Sequence, residues 1–187
     1  LYTTQNDTHA ASEYLTKFSR LIRLVMENSR NERISLAAEL EALRLYIEME
    51  AMRFKEKMSY SISVDKDVEM DYIEIPPLLL QPYVENAICH GLMHKEEGGR
   101  IDITAAMKNN ESILEINIAD NGVGRTKSEE LQSKTATRHK SYGMKVTSER
   151  IALINQIYKT GANVAIHDIV NDIGEVAGTH VIIQIPV

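Results

Sequence analysis

Glu85, Asn86 and His90 bring a carboxylate, a carboxamide and an imidazole onto one short, otherwise apolar stretch, residues 79–91. Crowding such groups on a small apolar element is costly unless something uses them. Asp120-Asn121-Gly122-Val123-Gly124 adds a second carboxylate in a turn with two glycines, where backbone can approach a ligand closely. Tyr142-Gly143-Met144 opens a helical pattern, and free amides at a helix start favour an anion. Residues 125–145 hold six basic side chains, Arg125, Lys127, Lys134, Arg138, Lys140 and Lys145, against Glu129 and Glu130. That local +4, in a chain of net charge −6, points to a polyanion such as a triphosphate.

The elements that must position these groups follow from periodicity. Leu80, Val84, Ala87 and Ile88 recur at helical spacing and make the apolar face of a short helix. Pro82 suits its first turn and Gly91 its C-terminal cap. Ahead of it, residues 10–29 carry Leu15, Phe18, Leu21, Ile22 and Val25 on one face of an amphipathic helix. Ser35 is the expected N-cap of a second helix running to about Lys57, with Leu36, Leu40, Leu43, Ile47, Glu50 and Phe54 as a heptad seam. The two predict an antiparallel hairpin whose seam packs on a partner chain or upstream helix, the other reading being an extension packed on its own domain. Tyr14, Tyr46 and Tyr60 are expected to serve packing.

Strand patterns follow at Met58–Val64, Ile101–Met107 and Leu114–Ile118, with Asn109-Asn110 as a hairpin turn, and near Val164–Ile169 and Val181–Ile185. Residues 125–142 read as a long loop, and a helix is expected from about Met144 to Tyr158. The order predicts an α+β fold, a two-layer α/β sandwich preceded by a helical hairpin, divided at residues 1–57 and 58–187.

The totals exclude several classes. A net charge of −6 argues against general nucleic-acid binding, and the single cysteine, Cys89, rules out an internal disulfide framework. No apolar run approaches the ~18 residues of a membrane span. The start, Leu1-Tyr2-Thr3, has no signal-peptide order and reads as the cut edge of a longer protein.

Leu80-Gln81-Pro82 with Glu85-Asn86-Ala87-Ile88 and His90-Gly91 resembles the N box of the LytS-type sensor histidine kinases. Asp120–Gly124 is similar to their first glycine box, and Gly143-Met144 with Arg150-Ile151 to their second. The likeness runs on through Gly178-Thr179 and Ile185-Pro186. In front it takes in Ala11–Leu15, Phe18–Arg23 and Glu39–Arg53 of the dimerisation region. The resemblance implies a Bergerat-type ATP-binding fold, the kind found in GHKL proteins, and phosphoryl transfer from ATP to a histidine nitrogen. It implies that Asn86 coordinates Mg²⁺ and that Glu85 polarises or accepts a proton near the γ-phosphate. Asp120 would accept from the adenine amino group, with Gly122 and Gly124 as the pocket wall and Thr179 near the adenine end. His90 would frame the site, Lys140 would belong to a lid over ATP, and Gly143 and Met144 would receive phosphate oxygens. The implied partners are a second copy through the front helices and a response regulator receiver domain. The implied location is the cytoplasmic part of a bacterial inner-membrane protein, held there by upstream segments.

The family's His-Phe-x-Phe-Asn acceptor motif does not occur in the chain. His9 lies after the expected place without aromatic context, so the phosphoacceptor is expected outside residues 1–187. Cys89 stands where the family often has lysine, Val146 replaces an asparagine and Ser141 a glycine. These departures motivate a nucleotide-binding pseudokinase switch as an alternative, beside an ATPase of the same superfamily. A zinc cluster of Cys89, His90 and His94 lacks a fourth ligand nearby.

Overall fold

The helix expected over residues 10–29 is α1, Thr8–Asn28, and Ser35 caps α2, Leu36–Arg53, its hydroxyl accepting from the Ala38 amide at 3.2 Å. This computed structural model describes residues 8–54, 57–93, 95, 98–110, 112–124 and 161–187. The expected lid and the helix over residues 144–158, with Lys140, Ser141, Gly143, Met144, Val146, Arg150 and Ile151, lie outside the described residues, as does His94. Helices α1 and α2 form the expected antiparallel hairpin, tied by the ion pairs Lys17–Glu48 and Arg20–Glu41. Among the described residues no helix is long and apolar enough to cross a membrane.

Helix α2 ends at Arg53, short of Lys57, and its seam is not spent on a partner chain. Leu36, Leu40, Leu43 and Ile47 join the same core as Ile75, Leu80, Ile88, Ile101 and Ile116. The inner face of the sheet is a column of isoleucine and leucine that must be covered, and α2 is the adjacent apolar surface. Its opposite side is also used: Ala42, Leu45 and Met49 bury against Leu21 of α1. Glu50, the one polar residue on the seam, is buried with both carboxylate oxygens on Arg53 Nη1, at 2.8 and 2.7 Å. Helix α1 therefore turns Leu21 inward and leaves Leu15, Phe18, Ile22 and Met26 exposed, although the sequence grouped Leu15, Phe18 and Ile22 with Leu21.

Two short strands, β1 (Ile34–Ser35) and β3 (Glu74–Ile75), pair antiparallel and sew the start of α2 to the chain that leads to residue 80. The first free amides of α2 are absorbed here: Leu36 N–H donates to Ile73 O at 2.9 Å and Ala37 N–H to Met70 O at 3.0 Å.

The main sheet contains β2 (Met58–Val64), β4 (Gly99–Lys108), β5 (Ile113–Asp120), β6 (Asn163–Val170) and β7 (Val176–Pro186), in the order β2-β4-β5-β7-β6. The β2–β4 pair is parallel and the rest antiparallel. Strict alternation sends Leu114, Ile116 and Ile118 of β5 to the inner face, opposite Ile185, Ile183 and Val181 of β7. One more step of the same alternation sends Asp120 inward. Asn109 and Asn110 make the turn between β4 and β5 with φ of 52° and 54°, a left-handed conformation asparagine tolerates.

Helix α3, Gln81–Asn86, does not stop at Gly91. It continues as a π-helical segment, Ala87–Leu92, and Gly91 lies inside that segment with ordinary negative φ. Its lack of a side chain serves close approach, not capping. Leu80, Val84, Ala87 and Ile88 are buried, as their spacing predicts.

Candidate functional site

The site is built where β5 ends beneath the π-helical segment. Asp120, 5% exposed, is the last inward residue of the apolar column on β5. Its Oδ1 accepts from the Gly122 amide at 2.8 Å, and the Thr179 backbone and side chain, across the β5–β7 pair, also hydrogen-bond to it. Burial raises its carboxyl from 3.8 to about 6, outweighing those hydrogen bonds and the nearby Lys95 charge, which pull it down.

Four glycines allow this packing. A β-carbon on Gly91 would stand 3.0 Å from Asp120 Oδ1, and one on Gly122 would stand 2.5 Å from Gly91 Cα. Backbone therefore lies against backbone, and the Val123 amide donates to Gly91 O at 3.2 Å. Gly178 lets β7 close on the same point: its β-carbon would be 1.9 Å from Asp120 O, at a φ of 153°. Gly124 has φ +76° and no room beside Val176 Cγ1, 2.2 Å from where its β-carbon would stand.

The polar groups of α3 sort by direction. Glu85 and Asn86 are half-buried and His90 is exposed, all off the apolar face. Gln81 Nε2 donates to Glu85 Oε1 at 2.7 Å. Glu85 also acts on Tyr46 and Cys89: burial first, then surrounding acidic groups that include Glu85, pushes both the Tyr46 hydroxyl and the Cys89 thiol up. Cys89 shares a hydrogen bond with Tyr46 of α2, so it faces the helical hairpin. Tyr60 is also a packing residue, its hydroxyl on Glu48 Oε1 at 3.2 Å.

The structure thus brings Gly91, Gly122, Gly178 and Thr179 against the buried Asp120, with Gly124 close to Gly178, while Glu85, Asn86 and His90 lie on the helix leading to Gly91 and His9 sits on α1. Sequence reasoning missed three contributors. Lys95 donates to Asn121 O at 3.0 Å, with its charge close enough to act on Asp120. Gly178 was seen only as part of a motif, with no pattern to say that Asp120 lies against it. Glu39, 2% exposed, accepts from the Leu78 and Leu80 amides at 2.9 and 3.0 Å just ahead of α3. Its signal was available, since a glutamate three residues after Leu36 and four before Leu43 falls on the buried face of α2.

A Histidine kinase family model matches residues 1–58. The chain is 31% identical over 149 residues to the uncharacterized protein YwpD of Bacillus subtilis (strain 168), covering 79% of this chain and 52% of that one. It is 37% identical over 118 residues to Sensor protein LytS of Oceanobacillus iheyensis, covering 63% and 20% of the two. To the Sensor histidine kinase/phosphatase LytS of Staphylococcus aureus it is 31% identical over 121 residues, covering 65% and 20%. The chain spans about half the length of YwpD and a fifth of the LytS proteins. Among solved structures, the histidine kinase domain of the Erythrobacter litoralis EL346 blue-light activated histidine kinase superposes with TM-score 0.57 at 13% identity, covering 95% of this chain and 81% of that one. The catalytic domain of histidine kinase ThkA gives 0.51 at 17% identity, covering 82% and 93%. The fold is the histidine kinase catalytic fold, and the chain is similar over its first 58 residues to the Histidine kinase family model and over about two thirds of its length to the LytS sensor proteins.

Proposed function

We propose that residues 58–187 bind Mg-ATP against Asp120 and transfer its γ-phosphoryl group to a histidine outside residues 1–187, for relay to a response regulator receiver domain. The observation that carries this reading is the buried Asp120 carboxylate, set between Gly91, Gly122 and Thr179 with backbone packed against it on two sides. A buried acceptor in a glycine-walled cradle suits the amino edge of a flat base, which has a donor to offer and needs the backbone close.

In this reading Asp120 accepts from the adenine amino group, Thr179 holds the carboxylate in place, and Gly122 and Gly124 form the wall. Asn86 offers an amide oxygen to Mg²⁺. Among the described residues no group of three or more His, Cys, Asp and Glu could hold a metal ion, so Asn86 would share the cation with phosphate oxygens and water. The cation supplies charge neutralisation on the phosphates. Glu85, already hydrogen-bonded by Gln81, would orient or deprotonate groups near the γ-phosphate, with His90 framing the site. Lys140, Gly143 and Met144 carry the phosphate-side proposal on sequence resemblance alone. In the transfer, the bond from the γ-phosphorus to the β,γ-bridging oxygen breaks as a bond to a histidine nitrogen forms, leaving ADP.

Residues 1–57 would serve dimerisation. The exposed Leu15, Phe18, Ile22 and Met26 of α1 recur at spacings of three and four, an apolar stripe suited to a second copy of the same helix. The chain would lie on the cytoplasmic side of a bacterial inner membrane, attached through segments outside it. The test is incubation with γ-labelled ATP and a peptide segment bearing an acceptor histidine. Acid-labile label on that segment is the expected result, and its absence with nucleotide demonstrably bound would favour the pseudokinase switch.

A further inference from the structure

Glu39 belongs by sequence to the front helices, yet its carboxylate ends at the start of the site helix. Its Oε2 accepts from Leu78 N–H at 2.9 Å and its Oε1 from Leu80 N–H at 3.0 Å. Leu80 is the residue at which α3 begins, and its own carbonyl accepts from the Tyr83 and Val84 amides at 3.1 and 3.4 Å. Between the two donors the chain turns through a left-handed leucine, Leu78 at φ +57°, a conformation a branched side chain rarely adopts without being held. The carboxylate bridges that turn, with one oxygen on each amide. The same helix is already joined to the preceding chain by Leu36 N–H on Ile73 O and Ala37 N–H on Met70 O, so α2 and residues 70–80 are fastened at successive points.

From α3 the path to the site is short. The helix carries Glu85 and Asn86 and continues without a break to Gly91, whose carbonyl accepts from the Val123 amide and whose Cα leaves no room for a side chain beside Gly122 and Asp120. A shift of the α3 start therefore moves Gly91 against a contact with no slack. We infer that Glu39 is a positioning residue for the nucleotide site: a side chain of the helical hairpin fixes where the site helix begins, so the affinity for Mg-ATP depends on the hairpin. This rests on the nucleotide reading above. By linkage, nucleotide that prefers the set position of α3 must in turn tighten the Glu39 contacts.

The test compares Glu39→Gln with Leu45→Ala in the 187-residue chain, by titration with a fluorescent ATP analogue and Mg²⁺. Glutamine keeps the shape but offers one acceptor and turns an N–H₂ group toward a backbone N–H. Leu45 lies in the α1-facing cluster of the same helix, so its truncation destabilises α2 without touching residues 78–80. The expected result is binding weakened roughly fivefold or more in Glu39→Gln and little changed in Leu45→Ala at temperatures where both are folded. Equal binding in Glu39→Gln and the wild type, or equal loss in both variants, would overturn the inference. Hydrogen exchange on the wild-type chain decides the matter even if Glu39→Gln fails to fold. Saturating nucleotide should slow exchange of the Leu78 and Leu80 amides, and unchanged exchange with nucleotide bound would overturn the inference while leaving the site reading intact. A wild-type chain that binds no nucleotide overturns both.

Discussion

Gly91 and Gly122 meet backbone to backbone: a β-carbon on Gly122 would stand 2.5 Å from Gly91 Cα and 2.8 Å from Asp120 Oδ1. Two segments that share no local pattern, a helix and the turn after β5, are locked together by the absence of two side chains. Gly122→Ala should therefore force the helix and the turn apart, with a cost of about 1–3 kcal/mol for overpacking. Denaturant unfolding measures the loss, and a variant as stable as the wild type would show that the contact is slack.

Asp120 makes the site and the fold respond to pH in opposite directions. Its carboxyl titrates at about 6 in the fold against 3.8 when exposed. A raised carboxyl stabilises the fold in its protonated form, so this contribution is present at low pH and is lost as pH rises through about 6. Asp120→Asn should remove that dependence, visible as a difference from wild type in the change of unfolding midpoint between about pH 5 and pH 8. In the proposed role the carboxylate is the acceptor for the base, so wild-type nucleotide affinity should fall as pH drops below about 6. Asp102 and Glu115 are held low, by Arg100 and by Gln184 first, and are common to both proteins, so the comparison cancels them.

Ile47 tests whether α2 is core or appendage. It is fully buried among the residues that cover the sheet. Ile47→Ala should cost about 2–5 kcal/mol, the range for truncation in a close-packed core. A loss below about 1 kcal/mol would mean that α2 is a separable extension.

The exposed stripe of α1 tests the association of two chains. Leu15 and Phe18 are 62% and 44% exposed. Replacing both by glutamate should leave the fold intact and shift the chain to monomer in sedimentation equilibrium. An oligomeric state that does not change would remove the stripe from the interface.

Much of the fold was legible because it repeats. The alternation on β4, β5 and β7 and the four-and-three spacing on α1 and α2 are periodic signals, and the elements stand close to where those signals put them. What periodicity could not say was which surface answers which. The seam of α2 carries the same pattern whether it meets a partner helix or a sheet, and the β1–β3 pair that steers it to the sheet is only two residues long on each side. Of the candidate site, the closeness of Asp120, Gly122 and Thr179 follows motifs read in the sequence, yet Gly91 was misassigned as a helix cap because its constraint comes from Gly122, distant in sequence. The burial of Glu39 was legible from its place between Leu36 and Leu43, but its amide partners were not, since they lie some forty residues downstream.

The central claim is that Asp120 receives the adenine end of a nucleotide. Titration of a fluorescent ATP analogue into the wild-type chain and Asp120→Ala, with Mg²⁺ at neutral pH, measures it directly. Saturable binding to the wild type, weakened in the variant by about 1.5–3 kcal/mol as for a lost hydrogen bond to a charged group, is the predicted result. Equal affinity in the two proteins, or no saturable binding to the wild type at millimolar nucleotide, would contradict it.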